Sequence, residues 1–153
     1  EILLFQISTD EIYGPIKEGS FHERAPANPQ NYYSATKASA EHLVLAYNNT
    51  FGFPFKMVRM SNNYGPRQHS EKFLPTILRS LKHKNKIPLY GTGENIRVLS
   101  KMNLEWDESV THVPDRLGHD FRYSITNDKM MEYVDFEQTS FIEGLDKIIK
   151  ECV

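Results

Sequence analysis

An apolar run from Ile2 to Ile7 is followed at once by the polar stretch Ser8-Thr9-Asp10-Glu11. A short apolar run bounded in this way predicts a buried strand, with the two acids at its C-terminal end. Residues 15–31 are polar and broken by Pro15, Gly19, Pro26 and Pro29, which predicts a long loop of the kind that often serves as a lid. Tyr32–Phe51 predicts a helix stopped by Gly52, with Pro54 just beyond. Its small residues Ala35, Ala38, Ser39 and Ala40 would let it pack closely on a sheet. Phe55–Met60 alternates apolar and basic residues and predicts a second strand, with the turn-rich segment Ser61–Pro66 at its C-terminal end. Lys72–Lys82 predicts a helix that tolerates Pro75 in its first turn, and Ile87–Tyr90 a short strand running into Gly91-Thr92-Gly93. From Val98 to Val113 the pattern is unclear. Ser140 and Glu143 have capping-box spacing, and Phe141, Leu145, Ile148 and Ile149 line one face of a closing helix, most simply as core.

Strand, helix, strand, helix, strand is the order of an α/β fold with a parallel sheet. In such sheets ligands bind at the C-terminal ends of the strands, where Asp10 and Glu11 fall. The 153 residues suit one domain with a real core. With 18 basic against 20 acidic residues and no basic block, nucleic acid is a poor candidate partner. No apolar stretch approaches membrane-spanning length. The single cysteine, Cys152, excludes an internal disulfide framework and suits a reducing cytoplasm. The six histidines lack ligand spacing, so no metal site is expected.

Two constellations carry chemistry. Asp10 and Glu11 on a turning loop can point different ways and titrate differently, so that one donates a proton while the other accepts one. Alone, such a pair is most simply a solvated acidic turn. Tyr33 and Lys37, four apart on a helix, share a face, where an ammonium favours the phenolate and makes a usable base. Chance alone supplies roughly 0.6 such pairs in a chain of this composition. Tyr13 and Lys17 form a second pair, but Pro15 breaks the helix that would align them, so Tyr33 and Lys37 are kept.

STDEIYG, YYSATKASAE, RMSNNYGPRQHSEKFLP and PLYGTGENIR, in this order, resemble the extended short-chain dehydrogenase/reductases, the NAD-dependent epimerases and dehydratases. More narrowly they resemble its dTDP-glucose 4,6-dehydratase branch. Related epimerases carry the Tyr/Lys pair but normally lack the Asp-Glu pair. GDP-mannose dehydratases keep the Glu, usually with Ser where Asp10 stands. The resemblance implies conversion of dTDP-glucose to its 4-keto-6-deoxy product by transient oxidation with NAD, elimination of water and return of the hydride. By that resemblance Tyr33 takes the proton of the sugar 4-hydroxyl and Lys37 holds the nicotinamide ribose. Glu11 removes the proton on carbon 5, Asp10 protonates the departing 6-hydroxyl, and Thr9 bonds near the 4-oxygen. Asn62 would contact the substrate and Asn63 the cofactor side. Lys72, Phe73, Pro88, Leu89 and Tyr90 would line the nucleotide pocket. Arg97 and Arg116 would meet the diphosphate, whose oxygens suit a guanidinium's fork of donors, and Asp115 and His119 share the late loop. Gly91-Thr92-Gly93 completes no phosphate-binding fingerprint and reads as a turn.

The expected architecture is therefore an incomplete Rossmann-like parallel sheet with part of a small C-terminal substrate-binding region. Residues 1–98 would be the later portion of the NAD-binding domain with the catalytic motifs, and residues 99–153 a shortened nucleotide-sugar-binding region. The family's Gly-rich loop is expected before Glu1, and the family's usual segment between Arg97 and Val113 is shortened, so the chain is expected to be the later portion of a larger protein. Two further readings stay open. One is a catalytically inactive fragment or remnant of such an enzyme, and the other a different sugar-nucleotide epimerase or dehydratase of the family. A homodimer is the partner state the resemblance implies.

Overall fold

Parallel pairing of two strands through a helical crossover organises the first part of the chain. Strand β1 (Leu4–Thr9) runs parallel to β2 (Phe55–Met60), in a register that sets Ser8 opposite Arg59 and Thr9 opposite Met60. Parallel neighbours need a long connection, and helix α1 (Tyr32–Phe51) supplies it. Asn31 caps α1 through its side chain, which accepts from the Ser34 amide, while the Ser34 hydroxyl answers the Asn31 amide. Gly52 closes the helix in the left-handed conformation, at φ 66°.

The computed structural model describes residues 2–90, 110–114, 122–135, 137 and 139–152. It divides into two compact units, Glu1–Asn63 with Gly118–Asp135, and Tyr64–Leu117 with Phe136–Val153. The architecture is α/β, and among the described residues the strands form two two-stranded parallel sheets. No described helix is long and apolar enough to cross a membrane, and the described residues contain no group of metal-ligating side chains.

In the first unit a short 3-10 turn (Asp10–Tyr13) follows β1, and its Ile12 and Tyr13 pack with Ala38 of α1 as a buried cluster. The apolar run at the start of the chain predicts a buried strand, but β1 is half open. Phe5 and Ile7 are 57% and 52% exposed, and only Ser8 and Thr9 are buried. Among the described residues β1 has one strand neighbour, and nothing covers the face that carries Phe5 and Ile7. The small residues of α1 also divide differently from the expectation. Ala38 is buried, whereas Ala35 and Ser39 are exposed, and all three line a shallow apolar cleft with Ala27, Pro29, His42 and Leu43.

The long loop after the 3-10 turn is pinned rather than lid-like. Phe21 bridges in parallel to Ile125, with the Phe21 amide donating to Ser124 O at 2.8 Å and the Thr126 amide to Phe21 O at 2.9 Å. Arg122 donates to Gly19 O at 3.0 Å, and the Ser20 and Ser124 hydroxyls meet at 2.7 Å. Backbone bonds to a distant segment, invisible to local pattern, hold it. A four-residue helix, α3 (Asp128–Met131), follows that segment.

The feature that joins these parts is a partly buried ion pair. Arg59 of β2 donates to both Glu41 carboxylate oxygens, from Nε at 3.0 and 3.1 Å and from Nη2 at 2.7 Å. Its Nη1 donates to the Tyr13 hydroxyl at 2.6 Å and to Glu23 O at 2.8 Å. The guanidinium also lies over the Tyr13 ring, 5.0 Å from its centre, and that ring stacks on Phe21. One side chain thereby ties strand, helix, turn and loop.

In the second unit β3 (Ile87–Tyr90) pairs in parallel with β4 (Val110–Val113), a strand of four residues too short for its pattern to show. Helix α2 (Phe73–Lys82) packs Ile77 and Leu81 with Ile87 and Val110. Helix α4 (Phe141–Cys152) buries Leu145 and Ile148 against Leu74, and Ser140 and Glu143 form the expected capping box. Phe141 departs from the expected stripe. It is 41% exposed and meets the Tyr64 ring edge-on.

Two stability predictions follow from the first unit. Replacing Glu41 by Ala leaves the Arg59 charge without its partner, and should cost roughly 3–5 kcal/mol in urea unfolding. An unfolding midpoint like that of the unaltered chain would show the pair carries no weight. Gly14 sits at φ 77°, and a Cβ there would lie 2.6 Å from Asn28 O. Gly14→Ala should therefore cost about 1–3 kcal/mol by the same measurement.

Candidate active site

The carboxylate turn is built by Thr9. This residue ends β1 in an extended conformation and caps the 3-10 turn, its hydroxyl accepting from the Glu11 amide at 3.3 Å. The same hydroxyl donates to Asp10 Oδ1 at 3.4 Å. Asp10 is 5% exposed. Burial pushes its carboxyl up to about 6, against the lowering effect of the Thr9 bond and with a smaller upward push from Glu11. Glu11 is more open and meets a different partner, the side-chain amide of Asn31, which donates to Oε2 at 3.4 Å. Adjacent carboxylates thus stand in unlike surroundings, one withdrawn from water and one held at the start of α1.

Helix α1 brings Tyr33 and Lys37 to the same end of the strand pair. Lys37 reaches the strand directly, its ammonium donating to Ile7 O at 2.8 Å. Tyr33, one turn earlier, is 49% exposed. Asn62 and Asn63 lie two and three residues beyond the end of β2, whose last residue, Met60, pairs with Thr9, and the Asn63 amide donates to Met60 Sδ at 3.7 Å. Thr9, Asp10, Glu11, Tyr33, Lys37, Asn62 and Asn63 therefore belong to one unit, around the C-terminal ends of β1 and β2.

The other expected site residues fall elsewhere. Lys72 and Phe73 open α2, and Pro88, Leu89 and Tyr90 form β3, all in the second unit. Arg97, Asp115, Arg116 and His119 lie outside the described residues.

Asn31, Glu41 and Arg59 are partners of the site that motif reading passes over. Asn31 is legible in principle, since Asn three residues before Ser34 at a helix start has the spacing of a reciprocal cap. The Glu41–Arg59 pair spans two elements and shows only in the fold. Tyr13, set aside with Lys17 as a chance pair, is buried and bonded to Arg59, while Lys17 is exposed.

A phenol and an ammonium beside a parallel strand end fit the ribose end of a dinucleotide, because both offer protons to sugar hydroxyls in a position open to solvent. The sequence contains no Gly-rich fingerprint for a pyrophosphate. The described residues thus fit the nicotinamide-ribose part of such a cofactor.

Comparison with known proteins gives the family and the fold. Residues 2–99 match the model of the NAD dependent epimerase/dehydratase family. The chain is 32% identical over 186 aligned positions to dTDP-glucose 4,6-dehydratase of Streptomyces niveus, covering 94% of this chain and 55% of the relative. It is 35% identical over 184 positions to a low-salt glycan biosynthesis protein of Haloferax volcanii, covering 94% of this chain and 59% of that one. Both alignments are longer than the chain's 153 residues, so they open gaps in it. The crystal structure of dTDP-glucose 4,6-dehydratase from Streptomyces venezuelae, solved with NAD bound, superposes with a TM-score of 0.88 at 30% identity, over 97% of this chain and 59% of that one. The chain thus spans little more than half the length of these relatives, with a Rossmann-like α/β fold. By its family match and the fold it shares with these enzymes, the chain belongs to the NAD dependent epimerase/dehydratase family.

Proposed function

We propose that the chain carries the acid–base machinery of a sugar-nucleotide 4,6-dehydratase acting on dTDP-glucose in the cytoplasm. The observation that carries this reading is the unequal carboxylate pair: Asp10 buried and titrating near 6, beside Glu11 held by Asn31 at the mouth of α1. Elimination of water across neighbouring carbons needs a base at one and an acid at the other. An epimerisation at a single carbon needs no such pair. The names and NAD-bound structure of the relatives support the same substrate and cofactor.

Each residue has a defined task on this reading. Tyr33 accepts the proton of the sugar 4-hydroxyl as the alcohol becomes a ketone, and its half-exposed position lets it pass that proton to solvent. Lys37 holds the ribose beside it. Bound NAD supplies a transient acceptor for the hydride that leaves carbon 4 and is returned at carbon 6. The 4-ketone acidifies the hydrogen on carbon 5, which Glu11 removes. Asp10 gives its proton to the 6-hydroxyl, the carbon–oxygen bond breaks, and water leaves. Glu11 returns its proton to carbon 5 as the hydride adds at carbon 6. A substrate lying over the turn strips more water from Asp10 and favours its protonated form further. Asn62 and Asn63 would flank sugar and cofactor. Lys72, Phe73, Pro88, Leu89, Tyr90, Arg97, Asp115, Arg116 and His119 would hold the nucleotide, with residues 1–98 carrying the later part of the cofactor domain and the catalytic motifs, and residues 99–153 a shortened nucleotide-sugar-binding region.

The chain supplied with dTDP-glucose and NAD should release a 4-keto-6-deoxy sugar nucleotide, read by mass spectrometry as loss of water. Tyr33→Phe should lower that rate by about 100-fold or more. No product from the unaltered chain, or equal rates in the two, would count against the proposal.

Asp10 also makes a pH prediction with a definite sign. Its folded value of about 6 lies above the ordinary 3.8. Between these limits the folded chain holds a proton that the unfolded chain has released. Its contribution to stability is therefore greatest below pH 4 and is lost as pH rises through about 6. The loss amounts to roughly 3 kcal/mol at neutral pH. Asp10→Asn should remove this slope, seen as urea stabilities that differ less between pH 4 and 7, while abolishing dehydration. A slope identical in the variant would refute the assignment.

A further inference from the structure

We infer that the Tyr13–Arg59–Glu41 chain of hydrogen bonds sets the carboxylate turn against the helix bearing Tyr33 and Lys37, with Tyr13 and Arg59 as positioning residues for the elimination. This inference rests on the dehydratase reading given above.

Tyr13 is the last residue of the turn whose first two residues are Asp10 and Glu11. Its ring is already accommodated without the hydroxyl. It stacks on Phe21 with ring centres 5.1 Å apart, and it is capped by the Arg59 guanidinium. The hydroxyl adds little to that packing. It accepts a 2.6 Å bond from Arg59 Nη1, and so fixes where the end of the turn sits.

On its other edge Arg59 grips Glu41. Glu41 continues the four-residue stripe of Tyr33 and Lys37 along α1, so it reads the rotation and depth of the helix face that presents them. Lys37 meets β1 at Ile7 O, and Asn31 meets Glu11 at the helix mouth. Among these contacts of α1, the Glu41 contact is the one charged on each side, with Glu41 2% exposed. The planar fork of Arg59 holds helix and turn at fixed directions, which an ammonium, a single point charge, would not do. Thr9 bonds Asp10 and the Glu11 amide at the start of the same four-residue turn that Tyr13 ends, so the turn is held at both ends.

Tyr13→Phe in the full chain tests this. It keeps the ring and removes one bond, so the urea midpoint should stay close to that of the unaltered chain. A displacement of catalytic groups by a fraction of an ångström should lower kcat by about tenfold or more, with KM little changed. The Asp10 carboxyl, followed by carbon-13 NMR of labelled aspartate, should titrate below its value of about 6, toward 3.8. Phe21→Leu disturbs the stack but keeps the hydroxyl bond, and should leave both kcat and the Asp10 midpoint in place. Unchanged kcat and Asp10 midpoint in Tyr13→Phe would overturn the inference. So would equal losses in Phe21→Leu, which would assign the effect to packing. If the unaltered chain forms no keto sugar, the dehydratase reading falls by itself, and the Asp10 midpoint alone decides the clamp. A downward move in Tyr13→Phe then supports it, and no move overturns it.

Discussion

The first unit depends on a charge partly withdrawn from water. Arg59 lies within the layer between β2 and α1, and its burial is tolerable because the Glu41 carboxylate meets it through two donor positions, with Tyr13 and Glu23 taking the remaining edge. Burial opposes the charged form of Arg59, and its bonds to Glu41 and Tyr13 more than reverse that, leaving its pKa above the ordinary value. A buried pair of this kind is an uncertain source of net stability, since desolvation offsets much of the attraction. What it supplies is specificity of placement. A hydrophobic contact would let α1 slide by part of a turn, whereas five bonds from one planar group allow a single arrangement.

That arrangement has a chemical consequence one turn away. With α1 seated, Ile12 and Tyr13 of the 3-10 turn pack against Ala38, and Asp10 at its start is buried while Glu11 is left at the edge beside Asn31. Burial costs the Asp10 carboxylate its hydration, and the carboxyl becomes more willing to hold a proton. The same burial lowers stability near neutral pH, because the folded state must either keep that proton or carry an unsolvated charge. On the proposed reading, a general acid is thus obtained at the expense of stability, a common pattern at sites whose groups must titrate near working pH.

Much of the candidate site was legible along the chain. Helix α1 could be read from Tyr32 to Phe51 because Gly52 provides a local stop, and the closing helix because Ser140 and Glu143 cap it locally. Tyr33, Lys37, Asp10 and Glu11 stood out by spacing and by their position after strand and loop signals. Expectations failed where the answer depended on remote neighbours. The loop after Gly14 read as lid-like because its partners, Arg122 to Thr126, lie about a hundred residues away. Strand β1 looked buried because its residues are apolar, but burial requires a covering layer, and Phe5 and Ile7 meet none among the described residues.

Two tyrosines separate the roles of sequence and structure most clearly. Both stand four residues before a lysine, and the chain alone favours Tyr33 only because Pro15 interrupts the other pair. The sequence by itself determined the local elements and the residues able to do acid–base chemistry, since caps, breakers and helical spacing act over a few residues. Tertiary structure decided which tyrosine is exposed and which is clamped, and which of two adjacent carboxylates loses its water. Those outcomes follow from the parallel register that sets Ser8 beside Arg59 and from the reach of Arg59 to Glu41, eighteen residues away in sequence but 2.7 Å away in space. Burial and long-range pairing belong to the fold as a whole, and no local pattern encodes them.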